Sequence, residues 1–209
     1  MAGQSERTAE TRERILSAAA VEFAEHGYAG ASISAIAETS GTGKGLVQYH
    51  FRAKSDIAAA VIRSVFAVAP FANVLGETPS RGIDAIIGSI RGVGGAFRND
   101  VRVRAAVRLV REYDQINIPL PMPYVGWIAR IAGMLNEAAD LGEVSPGLDS
   151  AREAYHLVAN FYGVQEVSSR LTNRDDLMER IEEMMLRSLT VLGVSDVANR
   201  LRAGLNQEA

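Results

Sequence analysis

The stretch Ile33–Lys54, ISAIAETSGTGKGLVQYHFRAK, contains the pattern of two short helices joined by a glycine-rich turn. In its first half, Ile33, Ile36 and Ala37 follow the i, i+3, i+4 spacing of one apolar helical face. Ser32 stands immediately before them, where the N-cap residue of a helix belongs. The polar cluster SGTG that follows has the length and composition of a tight turn.

The second half of this stretch, Lys44–Phe51, predicts a helix that is too short and too polar to be a core element. Only Leu46, Val47 and Phe51 can anchor it, because its other side chains are polar or absent. A short polar helix that a tight glycine turn holds against a preceding helix is a helix-turn-helix. The second helix of that motif lies in the major groove of DNA.

The composition is that of a globular protein: 209 residues, of which 47% are hydrophobic and 22% charged. No segment approaches the ~20 apolar residues of a membrane helix, and the polar start MAGQSERTAE does not resemble a signal peptide. We therefore expect a cytoplasmic protein that does not interact with a membrane. The absence of cysteine excludes disulfides and thiolate zinc sites.

The charge distribution favours specific over non-specific DNA binding. A net charge of −3 argues against a protein that coats nucleic acid, although it allows a local basic patch. The only lysines among the 22 basic residues are Lys44 and Lys54, which flank the predicted second helix. We expect these two ammonium groups to bind phosphates.

Enzymatic motifs are incomplete. The sequence GTGKG lacks the first glycine and the Ser or Thr of a phosphate-binding P-loop, and no apolar strand precedes it. The histidines at 26, 50 and 156 lack the spacing of metal ligands. We therefore expect no catalytic residues, metal or cofactor. A helical interaction module without a role on DNA remains an alternative, which a gel-shift titration with promoter DNA tests.

The rest of the chain predicts further helices. They include Thr11–Gly27, a long linking helix Lys54–Ala69, and Val101–Tyr113, whose Arg104, Arg108 and Arg111 share a face that we interpret as solvated. The segment from Thr78-Pro79 is rich in glycine, so it either packs closely against a neighbour or is soft. Two strongly apolar amphipathic helices, Ser150–Leu171 and Asp175–Leu192, suit a four-helix bundle between two subunits.

Three motifs resemble the N-terminal domain of the tetracycline-repressor (TetR) family. They are TRERILSAAAVEFAEHGY from Thr11, ASISAIA from Ala31, and the pair Lys44-Gly45 followed by YHFRAK from Tyr49. The resemblance implies an all-α homodimer with a three-helix DNA-binding domain and a larger helical domain for ligand binding and dimerisation. We expect these domains to be residues 1–54 and 55–209. We also expect ligand binding to lower the affinity for double-stranded operator DNA.

The expected DNA-binding residues surround the second helix of the motif. Lys44, Lys54, Thr42 and Tyr49 are expected at phosphates, and Gln48 and Gly45 at bases, since glutamine can bond adenine through both of its polar atoms. The full predicted set is Ser32, Thr42, Gly43, Lys44, Gly45, Gln48, Tyr49, His50 and Lys54. The sequence departs from the family pattern at Gly43, Gln48 and Ala53, and we expect Thr42 to replace the missing N-cap at Gly43.

The run PLPMPYVGW, which ends at Trp127, resembles one subfamily, the γ-butyrolactone receptors of actinomycetes and their furan- and butenolide-sensing relatives. The resemblance implies that Trp127 covers a pocket for a small apolar lactone. A sole tryptophan is otherwise most simply a core residue, and Gln165 can equally make an internal hydrogen bond. The predicted ligand-binding residues are Phe66, Val110, Trp127, Phe161 and Gln165.

These patterns together predict a homodimeric repressor of secondary-metabolite (antibiotic) genes. It would bind an inverted-repeat operator and be released by a γ-butyrolactone or butenolide signal. The alternative within the same family is a repressor of an efflux or metabolic gene that responds to a drug or a fatty-acid-like ligand.

Overall fold

The computed structural model describes residues 2–66, 81–116, 118–119 and 123–205. These residues form eleven α-helices and no strand, which confirms the predicted all-α class for the part of the chain that is described. The helices are α1 (Ala2–Gly30), α2 (Ile33–Thr39), α3 (Lys44–His50), α4 (Lys54–Phe66), α5 (Gly82–Asn99), α6 (Val101–Arg111), α7 (Tyr113–Ile116), α8 (Pro123–Asp140), α9 (Ser150–Thr172), α10 (Leu177–Val191) and α11 (Val197–Leu205).

The chain divides into two compact units. The first contains α1–α4, α6 and α7, with α6 packed against both α1 and α4. Its core is made of apolar side chains spaced three and four residues apart along these helices, which include Ile15, Ala19, Phe23, Val47, Ile57 and Val61. These residues are fully buried, so the unit is built around the periodicity seen in the sequence.

The second unit contains α5 and α8–α11, with α9 packed against α8 and α10. Its α5 is the glycine-rich helix, and Gly94 there lies directly beneath Ile181 and Met178 of α10. A Cβ at this position would collide with the end of Ile181, so the close-packing alternative holds at Gly94. A side chain at Gly94 would therefore force the end of Ile181 to move, and glycine favours this close approach of α5 and α10.

The helix boundaries differ most from the predictions at α1 and α6. Helix α1 begins at Ala2 rather than Thr11 and contains a non-helical residue at Gly27. Helix α6 ends at Arg111, with Glu112 as its C-cap, and α7 starts one residue later. The linking helix is described only to Phe66. The predicted end of this helix at Ala69 and the predicted segment start at Thr78-Pro79 fall outside the described residues.

Other boundaries agree with the sequence. Pro123 opens α8, where its missing N–H costs no hydrogen bond. The turn after α9 places Asn173 and Arg174 in the left-handed region, with φ of 51° and 69°. No helix in the described ranges is both long and apolar enough to span a membrane.

Candidate nucleic-acid interface and ligand-binding residues

Helix α3 is anchored to the first unit by very few side chains. Val47 is fully buried and Phe51, its C-cap, is 4% exposed. Leu46, which the sequence predicted as a third anchor, is instead 41% exposed, so that prediction is wrong. The reason is geometric: in a seven-residue helix, the residue next to Val47 points about 100° away from the buried side.

The outward face of α3 carries the polar residues that the sequence singled out. Lys44, Gly45 and Gln48 are exposed, and Tyr49 has 78% of its surface accessible. The Tyr49 ring lies edge-on to the ring of His50, with centroids 5.3 Å apart, and His50 is half-buried. A short helix with one buried residue and a mostly polar outer face is poorly suited to a core and well suited to a groove of DNA.

The residues before the two helices of the motif behave differently from each other. Ser32 caps α2 as predicted, since its Oγ accepts a hydrogen bond of 3.0 Å from the Ala35 amide. Gly43 is the N-cap of α3, and no side chain caps it. The predicted capping by Thr42 is wrong, because its hydroxyl bonds the Ser40 hydroxyl at 2.7 Å.

Lys54 is engaged inside the first unit. Its Nζ donates hydrogen bonds to the carbonyl oxygens of Tyr28 (2.6 Å) and Ala31 (2.9 Å) and lies 4.4 Å from the centre of the Tyr28 ring. Two of the three ammonium donors are thereby used, and one remains for a phosphate. Partial burial raises the pKa of the Tyr28 hydroxyl, and the Asp56 carboxylate raises it further.

The start of α4 compensates for the absence of a capping side chain at Ala53. The Ala53 amide donates a hydrogen bond of 3.0 Å to the Asp56 carboxylate. This contact is one half of a capping box, and a carboxylate in the first turn also interacts favourably with the helix dipole.

Three of the predicted ligand-binding residues lie together in the second unit. Trp127 of α8 is fully buried, and its ring meets that of Phe161 edge-on at 4.9 Å. The Trp127 Nε1 donates to the Ser89 hydroxyl at 3.4 Å, a long hydrogen bond. Gln165 follows Phe161 by one turn of α9 and is 1% exposed. The cluster is apolar with a few polar atoms, the usual composition of a small-molecule site.

The other two predicted ligand-binding residues belong to the first unit. Phe66 is 4% exposed at the end of α4, and Val110 is half-buried on α6. Their helices pack against each other.

Helices α9 and α10 also carry large apolar side chains that point into solvent. The set, which we call the apolar strip, is Tyr155 (59% exposed), Val167 (56%), Leu171 (78%), Leu186 (42%) and Val191 (83%). An open cleft of about 450 Å³ on the same surface is lined by Val167, Leu171 and the ion pair between Asp176 and Arg180. Val167 and Leu171 lie one turn apart on α9 in this cleft, and exposed apolar side chains grouped in this way are typical of a protein–protein contact.

Two charged residues of α6 were missed by the sequence reasoning. Arg108, which we interpreted as solvated, donates to the backbone carbonyls of Ala24 and Glu25 in α1. Glu112 accepts a hydrogen bond from the Tyr28 amide. Their i, i+4 spacing was visible in the sequence, but nothing there showed that their partners lie 84 residues away in α1.

Comparison with known proteins identifies both a family motif in the N-terminal part and longer relatives. Residues 15–61 match the model of the bacterial regulatory proteins of the tetR family. The A-factor receptor protein of Streptomyces griseus is 31% identical over 178 residues, which are 85% of this chain. The chain spans only 62% of the length of that receptor.

Two solved structures are similar along nearly their whole length. One was solved to explain the molecular basis for control of antibiotic production by bacterial hormones. It is 37% identical with a TM-score of 0.78, and the match covers 88% of this chain and 97% of that one. The other is TylP, a TetR regulator from Streptomyces fradiae, at 32% identity and a TM-score of 0.70, covering 93% and 92%. Regulators of this family are not enzymes. The matched N-terminal motif and these two relatives show that the chain belongs to the TetR family of bacterial transcriptional regulators, as its sequence predicted.

Proposed function

We propose that this protein is a homodimeric repressor that binds an inverted-repeat operator and is released by a small apolar lactone, of the γ-butyrolactone or butenolide type. We assign DNA binding to residues 1–54 and ligand binding with dimerisation to residues 55–209. Its target genes would be those of secondary metabolism. The observation that carries the proposal is the outer face of α3, where Lys44, Gln48 and Tyr49 are exposed above a single buried valine.

The exposed side chains of α3 divide into phosphate-binding and base-reading groups. Lys44 at the start of the helix and the Tyr49 hydroxyl suit phosphate oxygens, which set position without reading sequence. Ser32 and Thr42 keep a hydroxyl donor or acceptor for the same purpose, and Lys54 retains one N–H. Gln48 is the one exposed amide on this face, and an amide can bond the adenine edge through both its oxygen and its nitrogen.

Dimerisation supports the binding of an inverted repeat. The apolar strip on α9 and α10 would be covered by the same strip of a second subunit, giving a four-helix bundle with two-fold symmetry. Two copies of α3 related by that symmetry would enter successive major grooves of one face of the duplex.

The cluster around Trp127 supports a small apolar ligand. Its rings provide the apolar walls, and Gln165 and the Ser89 hydroxyl provide polar atoms that can orient a lactone carbonyl. Phe66 and Val110 of the first unit remain proposed ligand-binding residues. We expect the ligand to bind better when the two DNA-binding domains are not spaced to fit the operator. By linkage, the factor by which DNA weakens ligand binding is also the factor by which the ligand weakens DNA binding.

Selection of duplexes from a randomised library tests the DNA-binding part. The wild-type protein should enrich an inverted repeat, and Gln48→Ala should change base preference at one position per half-site by ~1–3 kcal/mol. Gln115→Ala, an exposed glutamine on α7, is the matched control and should leave the preference unchanged. A uniform loss of affinity for all sequences in Gln48→Ala would disprove the base contact.

Fluorescence tests the ligand. Because Trp127 is the only tryptophan, its emission reports on one site. Titration with a γ-butyrolactone or a butenolide should shift the emission and release the selected duplex in parallel. A spectrum that stays constant up to saturating lactone would instead favour the repressor of an efflux or metabolic gene.

A further inference from the structure

Helix α1 contains a sharp joint. At Gly27 the backbone has φ of 71° and ψ of −177°, which is non-helical, and the helix resumes for one further turn to Gly30. This combination of angles is accessible essentially only to glycine. The carbonyls before such a joint and the amides after it lose their helical partners, so other groups must satisfy them.

A single ion pair from α6 supplies those partners on both sides of the joint. Arg108 Nη1 donates to the carbonyls of Ala24 (2.9 Å) and Glu25 (3.0 Å), and its Nε donates to Glu112 at 3.2 Å. The other Glu112 oxygen accepts the Tyr28 amide at 2.5 Å. A Cβ on Gly27 would lie 2.6 Å from Glu112 Oε1 and 2.9 Å from Arg108 Nε, so the pair fills the space that glycine leaves.

The joint leads directly into the helix-turn-helix. Tyr28 and Ala31, just past it, offer their carbonyls to Lys54 of α4, and Ser32 then caps α2. Helix α2 packs against both α1 and α3. The direction of the chain between residues 28 and 32 therefore sets the direction of α2 and, through it, of the recognition helix.

We propose that Arg108 and Glu112 form a clamp that positions the recognition helix for DNA. Their hydrogen bonds across the two helices go to Ala24, Glu25 and Tyr28, so they act through residues 24–28 and are positioning residues. The inference rests on the proposed DNA-binding function, since a fixed angle of α3 matters only if α3 must match a groove. Loss of the clamp would leave the domain folded while α2 and α3 sample several orientations, each of which loses part of the contact with DNA.

A double variant tests the clamp without leaving an unpaired charge. Arg108→Met with Glu112→Leu removes both halves of the pair. The matched control is Arg102→Met with Glu13→Leu, because Arg102 pairs with Glu13 and bonds Ser17 between the same two helices but away from the joint. The probe is the duplex that the wild-type protein selects from the randomised library, and affinity is measured well below the melting temperature.

The clamp variant should bind this duplex at least about tenfold more weakly, the effect of losing one or two part-buried hydrogen bonds of a charged pair. The control should stay within about twofold, as surface substitutions usually do. Hydrogen–deuterium exchange of residues 33–50 should accelerate in the clamp variant alone. The single variant Glu112→Gln keeps an acceptor for the Tyr28 amide and should retain most of the affinity of the wild-type protein. It can be measured even if the double variant does not fold.

Other outcomes separate the two proposals. If clamp and control variants lose affinity in proportion to their loss of thermal stability, the pair is merely structural and the inference is overturned. If the wild-type protein selects no duplex, the proposed function fails, and exchange of residues 33–50 still decides whether the clamp orders the helix-turn-helix.

Discussion

Replacement of Gly27 by alanine should destabilise the first unit strongly, although alanine is the better helix former. A side chain at φ of 71° and ψ of −177° costs about 1–3 kcal/mol in backbone strain. Its Cβ would also push aside Glu112 and leave the Tyr28 amide without its acceptor, at a further cost of about 1–3 kcal/mol. The expected loss in the free energy of unfolding is about 2–6 kcal/mol.

Gly133→Ala is the matched control with the opposite sign. Gly133 lies inside α8, is exposed, and has no atom within 4 Å of the position its Cβ would take. Alanine there reduces the entropy of the unfolded chain and should stabilise the protein by about 0.5–1 kcal/mol.

Urea denaturation followed by circular dichroism measures both changes in the free energy of unfolding, and calorimetry checks them. At about 2–4 °C per kcal/mol, the melting temperature should fall by about 5–20 °C for Gly27→Ala and rise by a few degrees for Gly133→Ala. A Gly27→Ala protein as stable as the wild type would show that α1 can straighten at no cost. The backbone at Gly27 would then be neither strained nor held by Arg108 and Glu112, and the proposed clamp would have no structural basis.

Lys44→Ala should weaken binding to every duplex and reduce the slope of log affinity against log salt by about one, as measured by fluorescence anisotropy at several salt concentrations. Leu171→Glu, at a side chain 78% exposed, should convert the dimer to monomer in analytical ultracentrifugation, whereas Val125→Glu, 66% exposed on α8, should not. Hydrogen bonds from Ser168, Thr172 and Arg180 hold the pKa of Asp176 well below its ordinary value. Its stabilising contribution is therefore present above the unfolded-state pKa of about 3.9 and is lost as pH falls through the folded-state pKa. Asp176→Asn should flatten the acid-side decline of the melting temperature below about pH 4 that the wild-type protein shows.

Much of the site was visible in the sequence because its determinants are local. A Ser before an apolar i, i+3, i+4 run gives an N-cap, so Ser32 was identified correctly. Local composition likewise placed the start of α3 at Lys44. The DNA-binding and ligand-binding roles of individual residues remain predictions, since they depend on partners outside the chain.

Prediction from the sequence was wrong where a side chain has several possible hydrogen-bond partners, near it in the sequence or far from it. Thr42 was expected to cap α3, but the neighbouring Ser40 hydroxyl holds it. Arg108 was expected in solvent, but carbonyls of α1 that lost their helical partners attract it. Periodicity records which face of a helix is apolar and carries no information on which charged group meets which backbone atom.

By itself, then, the sequence determined an all-α protein with a helix-turn-helix at Ile33–Lys54 and an apolar pair of C-terminal helices, because caps, glycines and spacing act within a few residues. Only the tertiary structure decided how that motif is held. Lys54 bonds carbonyls 26 and 23 residues away, and Glu112 bonds an amide 84 residues away. Backbone groups that a kink leaves without helical partners must bond to other polar groups, here charged side chains. Tertiary packing decides where those side chains lie.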